Sequence, residues 1–460
     1  MSRSAPARAA VLVSIAAGTL ATARCSNEFA SESAAERSAA LRGSGPAFNV
    51  TALLRPDGAS EPAISIGSDG TMAVSALSWQ RFFTHVWKGP FGSTPAFQGE
   101  IDADIRSNVG GGEDADIDIG STGALHATTL LAFFNPVLKI TQLGVSAIVC
   151  PDANTANNFS ACTKQIIDTT QSDRQWVSSD GARVYISYHD SGSSTTIHVQ
   201  RSDDDGFTWK KVGDPVVGQG SKTGASTFNN EQGPIVADPT THDVFAITAS
   251  GTASVQKGTS ADFNQIFVSR STDFGQTWTA TTVFTAPVGA ALDNVFPALA
   301  VDPSNGALYA AWSDAHSVSV SQSVDHGATW SAPSTVNTGA AATAVFPWVA
   351  ALNGRVDVVY YGTTSSSKND PSAVWNVYMA QSTDAGTTFT QLQVSPHPNH
   401  VGVICTGGIS CAPGTRNLLD LFEIALDPRS GKAGIIYTDD TLTTESDGSP
   451  LPQVVLAQQR

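Results

Sequence analysis

One short pattern occurs four times in this chain and constrains its fold more than any other feature. The copies read Ser-x-Asp-x-Gly-x-Thr followed by an aromatic residue, and they span residues 202–209, 271–278, 323–330 and 382–389. The Asp carboxylate can accept backbone N–H groups across a tight turn, Gly supplies a positive φ, and Thr and the aromatic residue resume an extended strand. A spacing of roughly 50 to 70 residues is typical of propeller blades. The pattern therefore predicts an all-β chain built from blades.

These four segments resemble the Asp-boxes, or BNR repeats, of the sialidase superfamily. The resemblance implies a β-propeller in which the Asp-boxes lie on the rim, away from the sugar pocket. We therefore assign their Asp residues to the turns and their aromatic rings to the core, and look for functional residues elsewhere. The structural residues of the four copies are Asp204, Trp209, Asp273, Trp278, Asp325, Trp330, Asp384 and Phe389.

A second, weaker repeat predicts the number of blades. An apolar strand, a turn and another apolar strand occur together seven times, from Glu61–Leu77 to Leu421–Tyr437. Read as the two inner strands of a blade, these pairs favour seven four-stranded antiparallel blades. Six blades, the count of catalytic sialidases, would follow if one of the first two copies were a decorated loop. The last copy lacks an outermost strand, so we expect residues 47–460 to form a single propeller that the N-terminal strand Phe48–Leu54 closes.

The N-terminus predicts export. Arg3 and Arg8 precede an apolar run and a small-residue cleavage site, which is typical of a signal peptide over residues 1–23. Lipidation at Cys25 is the less favoured alternative, because Arg24 precedes it. Residues 24–46 lack periodicity and read as a flexible tether. We therefore expect a secreted or cell-envelope protein with no transmembrane span.

Net charge and cysteine spacing restrict the classes of partner and the kinds of site that we expect. The formal net charge is -16, which argues against nucleic acid, because a phosphate backbone requires a basic surface. In an exported chain the close pairs Cys150/Cys162 and Cys405/Cys411 predict two disulfides. No Cys-x-x-Cys motif accompanies them, so a zinc site is disfavoured. We expect a monomer without a cofactor that binds a glycan or an extracellular protein.

Candidate functional residues precede the predicted inner strands, where the loops of a propeller converge at the channel mouth, or stand at the ends of the second strands. In a sialidase, arginines bind the substrate carboxylate, a tyrosine paired with a Glu attacks the anomeric carbon, and an Asp serves as acid/base. The resemblance thus implies three catalytic and three substrate-binding candidates. The catalytic candidates are Asp173, Glu231 and Tyr437, and the substrate-binding candidates are Arg174, Arg416 and Asp420.

Alternatives stay open at several of these positions. Tyr188 is a second candidate nucleophile, Glu423 a second candidate base, and Arg106 a third candidate arginine. An acid in the run Glu113–Asp118 is an alternative proton donor. Within that run Asp114, Asp116 and Asp118 alternate along a strand, and a shared face of this kind is a candidate structural Ca²⁺ site.

Structural uses compete with these roles. Asp173 and Arg174 are suited to a local ion pair, and Tyr188 and Tyr437 to packing between blades. The Arg-Ile-Pro motif of catalytic sialidases does not occur in the chain. Two functions therefore remain, a sialidase-like glycosidase and a non-catalytic propeller that binds a glycan or a protein.

Overall fold

The computed structural model describes residues 48–105, 110–135, 140–154, 159–170, 172–190, 196–215, 230–251, 263–292 and 294–460. The predicted leader (1–23), Cys25, the tether (24–46) and Arg106 lie outside the described residues. The side chain of Glu113 also lies outside that set.

Seven antiparallel sheets form in this part of the chain, and each is one blade. The strands of the first four blades follow one another in chain order. Blade 1 consists of β2 (Ser60–Ile66), β3 (Thr71–Leu77), β4 (Thr84–Pro90) and β5 (Ala96–Glu100); blade 2 of β6 (Gly110–Ile119), β7 (Leu125–Asn135), β8 (Ile140–Cys150) and β9 (Thr163–Asp168); blade 3 of β10 (Ser172–Asp180), β11 (Arg183–Asp190), β12 (Ile197–Ser202) and β13 (Lys210–Lys211); and blade 4 of β14 (Asn230–Ala237), β15 (Val244–Ser250), β16 (Gln265–Ser271) and β17 (Thr279–Thr285).

The last three blades complete the ring. Blade 5 consists of β18 (Ala298–Val301), β19 (Leu308–Ser313), β20 (Val318–Ser323) and β21 (Ser334–Thr335); blade 6 of β22 (Thr343–Leu352), β23 (Arg355–Thr363), β24 (Val374–Ser382) and β25 (Thr390–Gln393), with β26 (His400–Val401) added beside β24; and blade 7 of β27 (Glu423–Leu426), β28 (Ala433–Asp439) and β29 (Gln453–Gln459). Single 3-10 turns occur at Phe159–Ala161, Gly339–Ala341 and Gly408–Ser410.

The first strand of the described chain closes the ring. β1 (Phe48–Ala52) pairs antiparallel with β29, with Val50 opposite Ala457, and so supplies the outer strand that blade 7 otherwise lacks. The predicted closure is confirmed, because the first and last segments of the chain share one sheet. Blades 1 and 2 are both complete, which decides for seven blades and against six.

The four Ser-x-Asp-x-Gly-x-Thr segments form turns with the same hydrogen bonds. In the first, Ser202 Oγ accepts the Gly206 N–H at 2.8 Å, and Asp204 accepts the Thr208 N–H at 2.8 Å and its hydroxyl at 2.7 Å. Asp205 before the glycine also has positive φ, at 59°, and Gly206 follows at 90°. Two consecutive left-handed residues suit a turn between twisted strands. The Asp carboxylate thus holds the turn closed by accepting both the N–H and the hydroxyl of the Thr.

The aromatic residues of these turns are buried to different degrees. Trp278 is fully buried, and its indole N–H donates to the Gly213 carbonyl of blade 3 at 2.9 Å. Trp209, Trp330 and Phe389 are only partly buried against the core. The expectation that all four rings are core residues is therefore met in full only at Trp278. Two-residue outer strands follow Trp209 and Trp330 nearby, whereas Trp278 leads directly into the seven-residue β17.

Both predicted disulfides are present, Cys150 with Cys162 and Cys405 with Cys411. Cys150 ends β8 and Cys162 precedes β9, so this disulfide lies at the turn between the third and fourth strands of blade 2. Cys405 and Cys411 lie in the connection from blade 6 to blade 7. The two bonds therefore occupy opposite ends of the propeller, because the third strand of a blade ends where its first strand ends.

The inner strands of all seven blades contact their neighbours around a common axis. Most of them begin with an irregularity. The register with the second strand shifts after Ser60 in β2, after Glu113 in β6, after Asp173 in β10 and after Val345 in β22. Such β-bulges re-aim a side chain at the start of a strand. They determine which residues face the axis at this end of the propeller.

Candidate functional site

Left-handed backbone marks the start of most inner strands. Positive φ values occur at Glu61 (53°), Asp114 (46°) and Arg174 (51°), the bulge residues of blades 1, 2 and 3. Val295, just before β18, and Phe346, in the bulge of β22, also have positive φ. Non-glycine residues seldom adopt this conformation, and where they do it is frequently at a functional site. Three charged side chains are thus brought to equivalent positions of three neighbouring blades.

Arg174 forms the centre of an ion-pair cluster. Its Nη1 lies 3.0 Å from Glu61 Oε1 and 3.0 Å from Asp114 Oδ1, and its Nη2 lies 3.2 Å from Asp420 Oδ2. Its guanidinium carbon lies 4.3 Å from the centre of the Phe296 ring. These partners belong to blades 1 and 2 and to the segments entering blades 5 and 7. A side chain that reaches all of them from blade 3 lies on the axis of the propeller.

A second arginine extends the cluster toward solvent. Arg416 donates from Nε to Asp420 Oδ1 at 2.9 Å and from Nη2 to Asp420 Oδ2. Asp420 therefore bridges Arg174 and Arg416. The Arg416 side chain is 28% exposed, against 7% for Arg174. We call Glu61, Asp114, Asp173, Arg174, Arg416 and Asp420 the axial cluster.

Asp173 and His189 lie on neighbouring strands beside this cluster. They face each other across β10 and β11, and both are partly buried. The carboxyl of Asp173 is hydrogen-bonded to that of Asp114, and burial raises the pKa of Asp173. A proton is required between two carboxyl groups in contact. Burial lowers the pKa of His189, so its imidazole is neutral near neutral pH.

Burial shifts the protonation of the other cluster members. It raises the pKa of Glu61 to about 8, against the opposing charge of Arg174. Although burial lowers it, the carboxylates of Asp114, Glu61 and Asp420 hold the pKa of Arg174 above its ordinary value. Arg416 behaves likewise, with burial opposed by the hydrogen bond and charge of Asp420. Near neutral pH both arginines are charged, while Glu61 retains its proton.

The raised pKa of Glu61 predicts a pH dependence of stability. An unfolded Glu loses its proton above about pH 4.3, whereas folded Glu61 keeps it up to about 8. Because the folded state then binds more protons, this group lowers the free energy of unfolding as pH rises through that window. We expect Glu61→Gln, which cannot ionise, to lose that decline in denaturant unfolding measured across the window. Glu445→Gln, in a partly exposed turn, is the control; an unchanged pH profile in Glu61→Gln would contradict the assignment.

Aromatic rings fill the axis beside Arg174. The Trp176 ring lies 5.6 Å from Phe296 and 5.2 Å from Trp348 of blade 6, between ring centres. On the side of blades 6 and 7, the Tyr361 ring lies 4.2 Å from Phe422. These rings belong to one core cluster. The axial cluster therefore has an apolar floor, which strengthens its ion pairs by excluding water.

Two further acids are buried in the inner strands. Asp116 accepts the Val177 N–H at 2.7 Å, and Glu423 accepts the Ile64 N–H at 2.9 Å. Burial raises the pKa of Asp116 to about 7, and burial together with the charge of Asp116 raises that of Glu423 well above its ordinary value. These backbone contacts connect neighbouring inner strands, so we assign both residues to the scaffold below the axial cluster.

The sequence-predicted site residues are brought together only in part. Arg174, Arg416, Asp420 and Asp173 belong to the axial cluster. Glu231 lies near the start of β14 in blade 4, opposite Ala249, and is partly buried. Tyr437 is fully buried, and its hydroxyl has no hydrogen-bond partner among the described residues. The structure therefore does not pair this tyrosine with a base.

Tyr188, the alternative nucleophile, is buried and hydrogen-bonded as a structural residue. Its hydroxyl donates to Asp168 at 2.7 Å and accepts from Gln200 at 3.0 Å. Burial raises its pKa, and the side chain is fully buried. This tyrosine packs within blades 2 and 3, away from solvent.

Glu61 and Asp114 were not singled out as ligands of Arg174 by sequence reasoning. Glu61 was assigned to the first inner strand, and Asp114 to an alternating acidic run. A signal for the bulges exists in the sequence, because proline stands near the start of four inner strands, at positions 62, 234, 297 and 347. Proline within sheets is confined largely to bulges and edges. This signal marks the bulge at Glu61 in blade 1, but blades 2 and 3 carry no proline at the corresponding place, so it does not reach Asp114 or Arg174.

The alternating acids of β6 do not converge on a Ca²⁺ site. Asp114, Asp116 and Asp118 serve different partners: Asp114 pairs with Arg174, Asp116 with Val177, and Asp118 with the Ser179 hydroxyl. The bulge after Glu113 breaks their alternation. Among the described residues they do not form a group of converging ligand atoms.

Asp57, His85 and Glu100 do converge, with ligand atoms within 4.8 Å of one another. Their carboxylates are already matched by arginines, however. Arg81 lies 2.6 Å from Glu100, and Arg55 lies 3.7 Å from Asp57. We therefore assign this group to an ion-pair network in blade 1.

Comparison with known proteins places the fold alone. No family model and no curated protein matches the chain. Among solved structures, a PL25 ulvan lyase aligns over 86% of this chain and 93% of its own, with 11% identity and a TM-score of 0.51. A GH93 α-L-arabinofuranosidase of Fusarium graminearum with arabinobiose aligns over 90% and 98%, with 11% identity and a TM-score of 0.45. A mutant Aleuria aurantia lectin with α-methyl-L-fucoside aligns over 74% and 98%, with 10% identity and a TM-score of 0.45. At 11% identity, the likeness to the ulvan lyase is a likeness of fold alone.

Proposed function

We propose that this protein is an exported propeller that binds a saccharide at the axial cluster, through the hydroxyl groups of the sugar. The observation that carries this proposal is the convergence of two arginines and four carboxyl groups from blades 1, 2 and 3 and the segment entering blade 7 on the axis, with Arg416 partly exposed. Carboxylates accept hydroxyl protons and guanidinium groups donate to hydroxyl oxygens. Such convergent polar groups over an apolar floor are typical of ligand sites.

The charge balance favours a neutral sugar over an acidic one. Arg174 is neutralised by Asp114 and Asp420, and Arg416 shares Asp420 through two of its nitrogens. A sialate carboxylate would have to displace Asp420 from these arginines. A hydroxyl group needs only the donors and acceptors that remain on the exposed side. Both arginines are therefore already paired with carboxylates, unlike a triad of arginines that is free to bind an anionic substrate.

A sialidase-like glycosidase is the second candidate, with Asp173, Glu231 and Tyr437 as its catalytic residues. One observation favours acid/base chemistry here: Glu61 and Asp173 both have raised pKa values. General acids work best when their pKa lies near the operating pH. Burial of the Tyr437 hydroxyl favours a carboxyl pair over a tyrosine nucleophile. In that version Asp173 would protonate the leaving oxygen and Glu231 would act on the opposite face of the sugar.

Export is part of the same proposal. The leader predicted at residues 1–23 supports it, and so do two disulfides, since such bonds persist mainly in oxidising compartments. In the described part of the chain, no helix has the length and apolar character needed to cross a membrane.

Arg416→Ala tests the site. We expect it to weaken saccharide binding by about tenfold or more, because a charge-assisted hydrogen bond is worth roughly 1.5 to 3 kcal/mol. Binding is measured by screening a panel of neutral and acidic glycans and then titrating the best ligand calorimetrically. Arg429→Ala is the matched control: Arg429 pairs with Asp427 in the same blade, at the opposite end. Equal affinities in the wild type and Arg416→Ala would remove the axial cluster from binding.

Aryl-glycoside substrates decide between the two candidates. Hydrolysis by the wild type that is lost in both Asp173→Asn and Glu231→Gln would support the glycosidase. Saccharide binding without hydrolysis would support the non-catalytic protein.

A further inference from the structure

The connection from blade 6 to blade 7 carries two members of the axial cluster. It runs from residue 394 to residue 422, between β25 and β27, and holds Arg416 and Asp420 near its end. The disulfide between Cys405 and Cys411 lies in its middle. The Cys405 N–H also donates to the Thr415 carbonyl at 2.9 Å. The disulfide and this hydrogen bond each close a loop in the chain immediately before Arg416.

The part of the connection that precedes the disulfide is anchored to the propeller. Ile404 is 2% exposed, and its N–H donates to the Lys368 carbonyl at 3.1 Å. Lys368 Nζ donates to Thr406 Oγ1 at 2.9 Å. Cys405, between these two residues, is therefore held by its neighbours.

The part between the disulfide and Arg416 is different. Ala412, Pro413 and Gly414 are exposed, and the Thr415 N–H donates within the loop to the Ala412 carbonyl at 3.2 Å. The disulfide ties this exposed stretch back to the anchored Cys405. An ordered backbone at Thr415 thereby restrains the next residue, Arg416, which carries the partly exposed guanidinium group of the site.

We propose that the Cys405–Cys411 disulfide is a positioning element of the saccharide site, so that ligand affinity depends on its oxidation state. The inference rests on the proposed function. Without the cross-link, the exposed stretch regains backbone freedom, and the conformer in which Arg416 pairs with Asp420 is less populated. Apparent affinity falls in proportion to the fraction of molecules in the competent conformer.

The redox step needs an external thiol reductant. A dithiol gives two electrons to the sulfur–sulfur bond and becomes its own cyclic disulfide. Each cysteine sulfur takes up one proton as the bond breaks. The protein is thereby converted from the disulfide to two thiols, with no other bond changed.

The chain contains its own control. Cys150 and Cys162 form a disulfide at the opposite end of the propeller, in blade 2. Loss of this disulfide should lower thermal stability without changing the conformation of the axial cluster. Comparing the two bonds separates positioning of the site from general stabilisation.

The test compares the wild type, Cys405→Ser/Cys411→Ser and Cys150→Ser/Cys162→Ser, with and without a dithiol. We expect the first double variant to bind the saccharide found by glycan screening about tenfold more weakly, a change of about 1.4 kcal/mol. The dithiol should weaken the wild type similarly and leave that variant unchanged. The second double variant should keep wild-type affinity despite a lower melting temperature.

Hydrogen exchange of peptides covering residues 412–422 provides a readout that needs no ligand. Faster exchange there in Cys405→Ser/Cys411→Ser, and not in the other double variant, is the expected result. Unchanged exchange, or unchanged affinity in a protein whose Arg416→Ala variant binds weakly, would overturn the positioning role. Absence of saccharide binding in the oxidised wild type would instead overturn the proposed function, and the redox dependence of affinity with it.

Discussion

Arg174→Ala is expected to destabilise the protein by about 3 to 5 kcal/mol, since removal of one partner leaves buried charges uncompensated. The Arg174 side chain is 7% exposed and contacts Glu61, Asp114 and Asp420. Its loss would leave three carboxyl groups facing one another beside an aromatic floor. Chemical denaturation at neutral pH, fitted to a two-state transition, measures the effect.

Acidification should reduce this loss. In the variant, acidification neutralises the carboxylates that have lost their arginine partner, so the difference from the wild type should shrink as pH falls below neutral. Arg81→Ala is the control, because Arg81 also pairs with an acid but its side chain is 50% exposed. Exposed pairs contribute about 0 to 1 kcal/mol. A loss in Arg174→Ala no larger than in Arg81→Ala would mean that the axial cluster does not stabilise the fold.

Trp278→Ala should cost a comparable amount, about 3 to 5 kcal/mol, as a large truncation in a packed core. The indole is 2% exposed and packs in the main core cluster. Its N–H donates to the carbonyls of Gly213 and Gly275, at 2.9 and 3.0 Å. The variant therefore creates a cavity and removes a link between blades 3 and 4. Thermal and denaturant unfolding both report the change.

Trp330→Ala tests whether burial, or simply the position in the repeat, determines the loss of stability. Trp330 occupies the same place in its own turn but is only partly buried. We expect a clearly smaller loss of stability, because less apolar surface returns to water. Equal losses in the two variants would show that the repeat position, rather than burial, decides the energetic contribution.

Local sequence patterns were sufficient to predict the architecture. Seven inner strand pairs, the orphan strand Phe48–Leu54 and the incomplete last copy together predicted the ring and its closure, and β1 pairs with β29 as expected. The two disulfides followed from close spacing in an exported chain. These features are readable because alternation of apolar residues and turn chemistry act over a few neighbouring residues.

The axial cluster was only half predictable. Arg174, Arg416, Asp173 and Asp420 were singled out because they precede inner strands. Their partners Glu61 and Asp114 come from blades 1 and 2, and Glu61 is separated from Arg174 by 113 residues. No local pattern reports which blades face one another across an axis.

The four Ser-x-Asp-x-Gly-x-Thr turns show the same division. The sequence by itself determined that each would be a tight turn, because the Asp and Ser hydrogen bonds and the positive φ at Gly are local. Only the tertiary structure decided that Trp278 is fully buried while Trp330 is not, since burial depends on the neighbouring blade. It likewise decided that the bulges of blades 1 to 3 aim Glu61, Asp114 and Arg174 at one point, because closing the ring brings together side chains that are distant along the chain.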